Sequence, residues 1–439
     1  MARISNSKII NNIERYNVLY PKYVEVLDRL IERYPIVGGS EMGKLVNFHS
    51  NKDIAKHRWL DYKQGYADGL VRAIISQSAI NEGGLVLDPF CGVGTTNLTA
   101  QSMGYRSVGL DVNPIAILTA EVKTHYYSEN EIAEIESILS HLKIQKTAYN
   151  LPDSKVLKSS FTPEVLEEFL RIRLFVEKVK GGYVQKFFRL CLISIIDSCS
   201  LKVKDGNGLK IRKNPPQVSS VIDIFKHKAE IMLEDVKSFN VDLDVRIQYG
   251  SSLDASTYQE IENVDLCVFS PPYANCFDYC EVYKLELWIG GFVEDYKDFE
   301  RYRSAAMRSH VNSKFDHNIS NGFSDVEVIS ETIRTFNIWN KNIPDMLKGY
   351  FDDIQKLLEN VRGVLKTKSL CYVVVANSAY KGIIVPTDLL IADIAQSNGY
   401  KVNRIIEARK IRSSSQQMMG FGEKYNCLMR ESIIELQKQ

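Results

Sequence analysis

The chain has 439 residues, 45% hydrophobic and 25% charged, which supplies a substantial core and excludes a disordered or fibrous protein. Lys plus Arg number 55 against 54 Asp plus Glu, so the formal charge is +1 and any polyanionic partner must meet a local basic surface. The eight cysteines form no CxxC step, and the Cys276/Cys280 spacing is wrong for zinc, so reduced thiols in the cytosol are expected and no metal.

The N-terminal MARISNSKIINNIERYN lacks the apolar region of a signal peptide, and no apolar run reaches the roughly 18 residues of a membrane span. A cytoplasmic protein without membrane contact is the expectation. Residues 1–72 read as a polar, aromatic, helical lead-in, with Leu70, Ile74 and Ile75 near helical spacing at its end. GGLVLDPFCGVGTTNLTAQSMGYRSVGLDVNP then gives an apolar run at Leu85–Leu87, a glycine turn, a helix, and a second apolar run ending at Asp111. That is a β-α-β unit suited to a parallel sheet.

From about His125 to Asn240 the chain reads as successive amphipathic helices, one started by Thr162 and Pro163. This stretch, residues 125–240, is a helical insertion. It contains a loop, LKVKDGNGLKIRKNPP, in which Lys202, Lys204, Lys210, Arg212 and Lys213 face one Asp. Strands resume at Val245–Ser252 and Val264–Ser270, the second stopped by Pro271 and Pro272. NCFDYCEVYKLELWIGGF reads as helical, and Val293–Asn340 has no clear pattern. A helix from Pro344 to Leu365, the strand SLCYVVVANS, a helix ending at Gly399 and two last strands complete the chain. The alternation predicts an open, doubly wound, mostly parallel α/β sheet with one antiparallel strand near an edge. Its core would comprise residues 73–124 and 241–439.

A glycine turn between strand and helix admits close approach of a ligand, and an acid ending the next strand can accept both ribose hydroxyls. Asp88, Gly92, Gly94 and Asp111 have this arrangement. The full GxGxxG of dinucleotide sites is missing, and no P-loop lysine follows, which favours a nucleoside ligand without pyrophosphate. Asp254, past the third strand, falls at the same sheet edge, where it could serve the ligand or simply cap a turn. Ser270, Pro271, Pro272 and Tyr273 follow another strand. The prolines fix a rigid corner that exposes the Pro271 carbonyl and projects Tyr273. A delocalised exocyclic amine is a poor nucleophile, and fixed acceptors for its hydrogens favour the reactive geometry, while an aromatic face can hold the base.

DPFCGVGTT resembles the S-adenosylmethionine motif of the DNA amino-methyltransferases, and SPPY resembles their catalytic tetrapeptide in its N4-cytosine form. The resemblance covers residues 48–111, 245–290 and 369–437, with FHSNKDIAKHRWLDYKQG in the place of the family's N-terminal cofactor motif. It implies a Rossmann-like, doubly wound, seven-stranded methyltransferase sheet. Asp88, Pro89, Phe90, Cys91, Gly92, Gly94, Thr95 and Val112 would line the S-adenosylmethionine pocket; Asp111 would bind its ribose and Asp254 would approach its adenine. Ser270 and Pro271 would hold the target amine, with Pro272 bracing the corner and Tyr273 stacking on an extruded base. Target recognition would lie in the insertion, with Lys202, Lys204, Lys210, Arg212 and Lys213 on DNA phosphates, or in the stretch that includes RYRSAAMRSH.

The expected activity is methylation of cytosine N4 in double-stranded DNA, beside a companion restriction endonuclease. Adenine N6, a tRNA guanine amine and a protein glutamine stand as alternative targets, and a silent cofactor- or DNA-binding module as an alternative of another kind. Cytosine C5 chemistry needs a cysteine nucleophile where Tyr273 stands.

Overall fold

The computed structural model describes residues 19–62, 65–145, 154–206, 208–313, 322–411 and 423–439. The segment read above for a signal peptide lies outside these residues. In chain order the strands are β1 Ile36–Gly38, β2 Leu85–Asp88, β3 Arg106–Asp111, β4 Lys202–Asp205, β5 Gly208–Ile211, β6 Val245–Tyr249, β7 Val264–Phe269, β8 Leu365–Ala376, β9 Ser378–Tyr380, β10 Ile383–Val385, β11 Tyr400–Lys410 and β12 Arg430–Lys438. The helices that bear on the site are α1 Pro21–Arg33, α2 Asp68–Ser78, α3 Thr95–Ser102, α4 Pro114–Thr124, α5 Pro163–Lys178, α6 Gly182–Ser194, α7 Val221–Ser238, α8 Tyr296–Ala305, α9 Ile343–Val364 and α10 Thr387–Ser397.

The main sheet runs β1-β11-β12-β8-β7-β2-β3-β6. Only β12 opposes its neighbours, pairing antiparallel with both β11 and β8. The fold is the doubly wound, Rossmann-like methyltransferase α/β fold, extended to eight strands instead of seven. The added strand, β1, lies parallel to β11 over three residues, a run too short for periodicity to reveal. The chain proceeds from β2 to β3 and β6 on one side, then to β7 and β8 on the other. Strand order therefore reverses at β2, and the carboxyl ends of β2, β3 and β7 meet at the crevice where such sheets bind ligands. Every residue of β2 is buried, as its unbroken apolar run requires for a central parallel strand.

Three expectations from the sequence change. The basic loop at 201–216 contains an antiparallel hairpin, β4–β5, with Gly206 at φ +54° in its turn. The continuous lead-in helix is replaced by 3-10 turns at Phe48–Asp53 and His57–Trp59, and α2 starts only at Asp68. A tertiary carboxylate overrides local propensity there: buried Asp235 of α7 accepts from Lys56 N at 3.0 Å, Arg58 Nε at 3.0 Å and Trp59 Nε1 at 2.9 Å. The stretch without a pattern holds α8 and a helix at Ser324–Arg334, and its residues 314–321 lie outside the described ones.

The helices at 125–240 share one apolar cluster with Trp59, Leu60, Tyr62, Phe277 and Tyr283. Thr162 caps α5, with its hydroxyl accepting from Val165 N, as read from the sequence. Among the described residues no helix is long and apolar enough to cross a membrane.

At the other flank, fully buried Asp388 of α10 ties β8 and β12 together. It accepts from Asn377 Nδ2 at 2.8 Å, Arg430 Nε at 2.8 Å and Ser432 Oγ at 2.7 Å. Removing one member of a buried, hydrogen-bonded ion pair strands the other charge, so Asp388→Ala is expected to cost about 3–5 kcal/mol in denaturant unfolding. A loss under about 1 kcal/mol, the scale of an exposed pair, would contradict that reading.

Candidate active site

A single cavity opens at the carboxyl ends of β2, β3, β6 and β7. Asp88, Pro89, Phe90, Cys91, Gly92 and Thr95 line it from the first turn, Asp111 and Val112 from the end of β3, and Ser270 and Pro272 from the corner after β7. The glycine turn and the double-proline corner, read separately from the sequence, thus face a common space.

The turn is built on its backbone. Cys91 N donates to Leu110 O at 2.9 Å, and Gly92 N donates to Asp111 Oδ2 at 3.0 Å, which ties the turn to the end of β3. Asp111 Oδ1 accepts from Asn113 N at 2.8 Å. Asp88 accepts from Phe90 N at 3.0 Å and from the Tyr66 hydroxyl at 2.9 Å. Neither carboxylate has a Lys or Arg among these partners. Burial pushes both up to about 6, against the hydrogen bonds that favour their ionised forms. At neutral pH the pouch therefore presents two anionic acceptors in a poorly solvated place, suited to ligand hydroxyls or an ammonium.

Gly92 and Gly94 differ in task. Gly92, at φ +49°, faces the cavity, and a Cβ there would stand 3.3 Å from Tyr62 Cε1. Gly94 was expected in the pocket, but it faces away: at φ +77° it sits where a Cβ would come within 2.9 Å of Ala120 Cβ on α4. Close packing of α3 and α4 explains that glycine.

Asp254 is a second correction. It is exposed and caps the turn Ala255–Tyr258 by accepting from Ser256 N at 2.9 Å; Gly250, Ser251 and Ser252 line the cavity in its place. A Gly-Ser-Ser turn directly after β6 was the better signal, because the carboxyl edge falls at the strand's last residue.

Tyr62, Gly65, Tyr66, Tyr279, Tyr302 and Met307 complete much of the wall. Tyr62 stacks on Tyr283 at 5.0 Å between centroids and 16° between planes, and lies 6.2 Å and 21° from Tyr279. Sequence reading found the N-terminal segment only as a loose motif match and missed Tyr279 altogether. Arg301–His310, a rival for target recognition, supplies Tyr302, Ala305, Ala306 and Met307 to the cavity. Tyr273 and Pro271 are not in the lining. The Tyr273 ring is half-buried beside the cavity, and its hydroxyl donates to Glu431 Oε1 at 2.7 Å.

The basic set divides. Lys204 is buried and ion-paired with Glu286 and, at 3.0 Å, with Asp197, so it cannot reach a phosphate. Arg212 spends its guanidinium on Lys202 O at 3.1 Å and Asp197 O at 2.7 Å, bracing the hairpin. Lys210 and Lys213 are exposed, Lys210 3.3 Å from Asp205, and Lys202 is half-buried.

A sheet switch point, paired carboxylates, an approachable glycine and aromatic walls define an S-adenosylmethionine-dependent methyltransferase. The residues fit that cofactor: hydroxyl and ammonium donors have acceptors, and an adenine has apolar and aromatic surface.

Comparison with known proteins narrows the class. Residues 45–121 match the family model described as DNA methylase, a span from the turns before α2 into α4. The chain is 26% identical over 453 residues to type II methyltransferase M.BsoBI of Geobacillus stearothermophilus, covering 90% of this chain and 88% of that protein. It is 27% identical over 416 residues to type II methyltransferase M.AvaI of Anabaena variabilis, covering 86% of each. The solved rRNA methyltransferase aviRa of Streptomyces viridochromogenes aligns at 9% identity and TM-score 0.31, over 88% of this chain and 92% of that one. The sequence matches support a DNA methyltransferase.

Separate roles for the two glycines give separable outcomes. Gly92→Ala is expected to weaken S-adenosylmethionine binding about tenfold in calorimetric titration by displacing Tyr62, a loss worth about 1.4 kcal/mol. Gly94→Ala is expected mainly to lower the thermal midpoint, since overpacking typically costs about 1–3 kcal/mol. Equal effects of both on cofactor affinity would refute the division.

Proposed function

We propose that the protein is a site-specific type II DNA methyltransferase that modifies the N4 amine of cytosine in double-stranded DNA, working in the cytoplasm beside a restriction endonuclease. The carrying observation is the shared cavity: Ser270 and Pro272 face the space lined by Asp88 and Asp111. A target amine held at the corner would lie within that space. The similarity to two type II methyltransferases agrees with this reading, and the leading Ser of SPPY favours cytosine over adenine.

In this reading Asp111 accepts the ribose hydroxyls, Asp88 and Gly92 shape the pouch, and the aromatic wall encloses the adenine. The cofactor's sulfonium supplies the methyl carbon. Ser270 Oγ and the Pro271 carbonyl accept the two amine hydrogens, which turns the nitrogen lone pair toward the transfer line. Tyr273 stacks on the base. Extrusion costs a few kcal/mol and stacking returns about 1–3 kcal/mol, so contacts to DNA must offset the rest. Lys202, Lys210 and Lys213 are the candidates on the hairpin.

The test of the assignment is base-resolved sequencing of plasmid DNA from cells expressing the protein. N4-methylcytosine at a fixed motif is the expected result; N6-methyladenine, or no modified DNA base, would overturn it. Tyr273→Ala is expected to lower transfer at least tenfold, while Asp111→Ala weakens cofactor binding. The pH dependence has a definite sign. Asp111, pushed up to about 6, offers two strong acceptor oxygens only when ionised, so affinity for S-adenosylmethionine should fall as pH drops through about 6. Titration calorimetry from pH 5 to 8 checks this, and a flat profile would contradict it.

A further inference from the structure

The segment after the double-proline corner is clamped by residues outside the cavity lining. Tyr380, on β9, donates its hydroxyl to Ala274 O at 2.7 Å, and Cys276 N donates to Ser309 O at 3.1 Å. These bonds fix the backbone that follows Tyr273. The phenol itself is held by a different element, β12.

Glu431 lies at the start of β12, in register with Ala376 of β8 and Arg409 of β11, at the catalytic edge of the sheet. Its side chain is only 4% exposed. An unmatched charge there is strongly disfavoured, and each oxygen has a donor: Tyr273 Oη at 2.7 Å on Oε1 and Arg409 Nε at 2.6 Å on Oε2. The phenol stays protonated, pushed well above its ordinary value by burial and then by the Glu431 charge, so Tyr273 is the donor. A cross-strand Glu–Arg pair needs no tyrosine to be satisfied. Turning one carboxylate oxygen beneath the corner instead anchors the far end of a half-buried aromatic ring.

We propose that Glu431 is a positioning residue of the transfer site, holding the Tyr273 hydroxyl so that the ring offers a fixed face to the extruded base. Arg409 orients Glu431 from the neighbouring strand. The inference rests on the function proposed above, in which Tyr273 stacks on the target. Fixing the ring in advance means that capture of the base need not also order the side chain.

The test is single-turnover transfer of labelled methyl from S-adenosylmethionine to unmethylated plasmid DNA by the full-length protein. Glu431→Ala and Tyr273→Phe should each slow transfer about tenfold, the scale of one charge-assisted hydrogen bond. The double variant should be no slower than the slower single, because both remove the same bond. Glu431→Gln, whose amide oxygen still accepts, should recover to within about threefold of the parent rate. Cofactor affinity should be unchanged throughout, since neither side chain lines the pouch. Wild-type rates in Tyr273→Phe, additive losses in the double variant, or Glu431→Gln as slow as Glu431→Ala would overturn the inference. Tyr273→Phe removes one oxygen only, so it decides the matter even if Glu431→Ala fails to fold. A parent protein that does not methylate DNA would sink the functional reading as well, whereas an active parent with unaffected variants would sink this inference alone.

Discussion

Two carboxylates stand side by side at the carboxyl edge of a parallel sheet, and backbone amides and a tyrosine hydroxyl, not cations, answer them. The rest of the active-site architecture follows from that constraint. Asp111 draws the Gly92 amide across to β3, and Asp88 draws in Phe90 N and Tyr66, so the turn is pulled open into a pouch. A lysine or arginine partner would have filled the space and cancelled the charge that a hydroxylated, cationic ligand requires. The reversal of strand order at β2 supplies the crevice in which those acids can be buried without being sealed off.

Among the described residues the helical insertion contributes no side chain to the cavity lining but braces the segment that does. Asp235 on α7 gathers donors from three residues of the irregular segment at 56–59, and that segment leads directly to Tyr62 and Tyr66 in the cavity wall. The hairpin β4–β5 is rooted by the buried Lys204–Glu286 pair, and Lys204 also lies 4.5 Å from the centroid of Tyr283, which stacks on Tyr62. The hairpin and the cavity wall are therefore continuous through packed rings. This continuity follows from shared burial, since amphipathic helices can bury their apolar faces only against one another or the rest of the fold.

On the opposite flank, β8, β12 and α10 form a rigid support through Asp388, and the residue beside Arg430 is Glu431. The antiparallel strand thus reaches the double-proline corner with its terminal side chains already fixed. Backbone clamps from Tyr380 and Ser309 hold the segment after SPPY, while β12 meets the phenol. A poor nucleophile needs its acceptors placed within a few tenths of an ångström, and rigid sheet elements place them better than a free loop would.

The sequence by itself determined the alternation of elements and the two motif turns. It did so because these depend on local chemistry: an unbroken apolar run for a central strand, glycines at positive φ, and prolines that end a ladder. Asp88, Gly92, Asp111, Ser270 and Pro272 were legible for that reason. Tertiary structure alone decided what depends on partners distant in the chain. It released Gly94 to helix packing, reduced Asp254 to a cap, buried Lys204 against a glutamate 82 positions away, and brought Tyr62, Tyr279 and Tyr302 into one wall. A residue type records which interactions are possible, but burial and long-range pairing choose among them, and neither has a signature in local spacing.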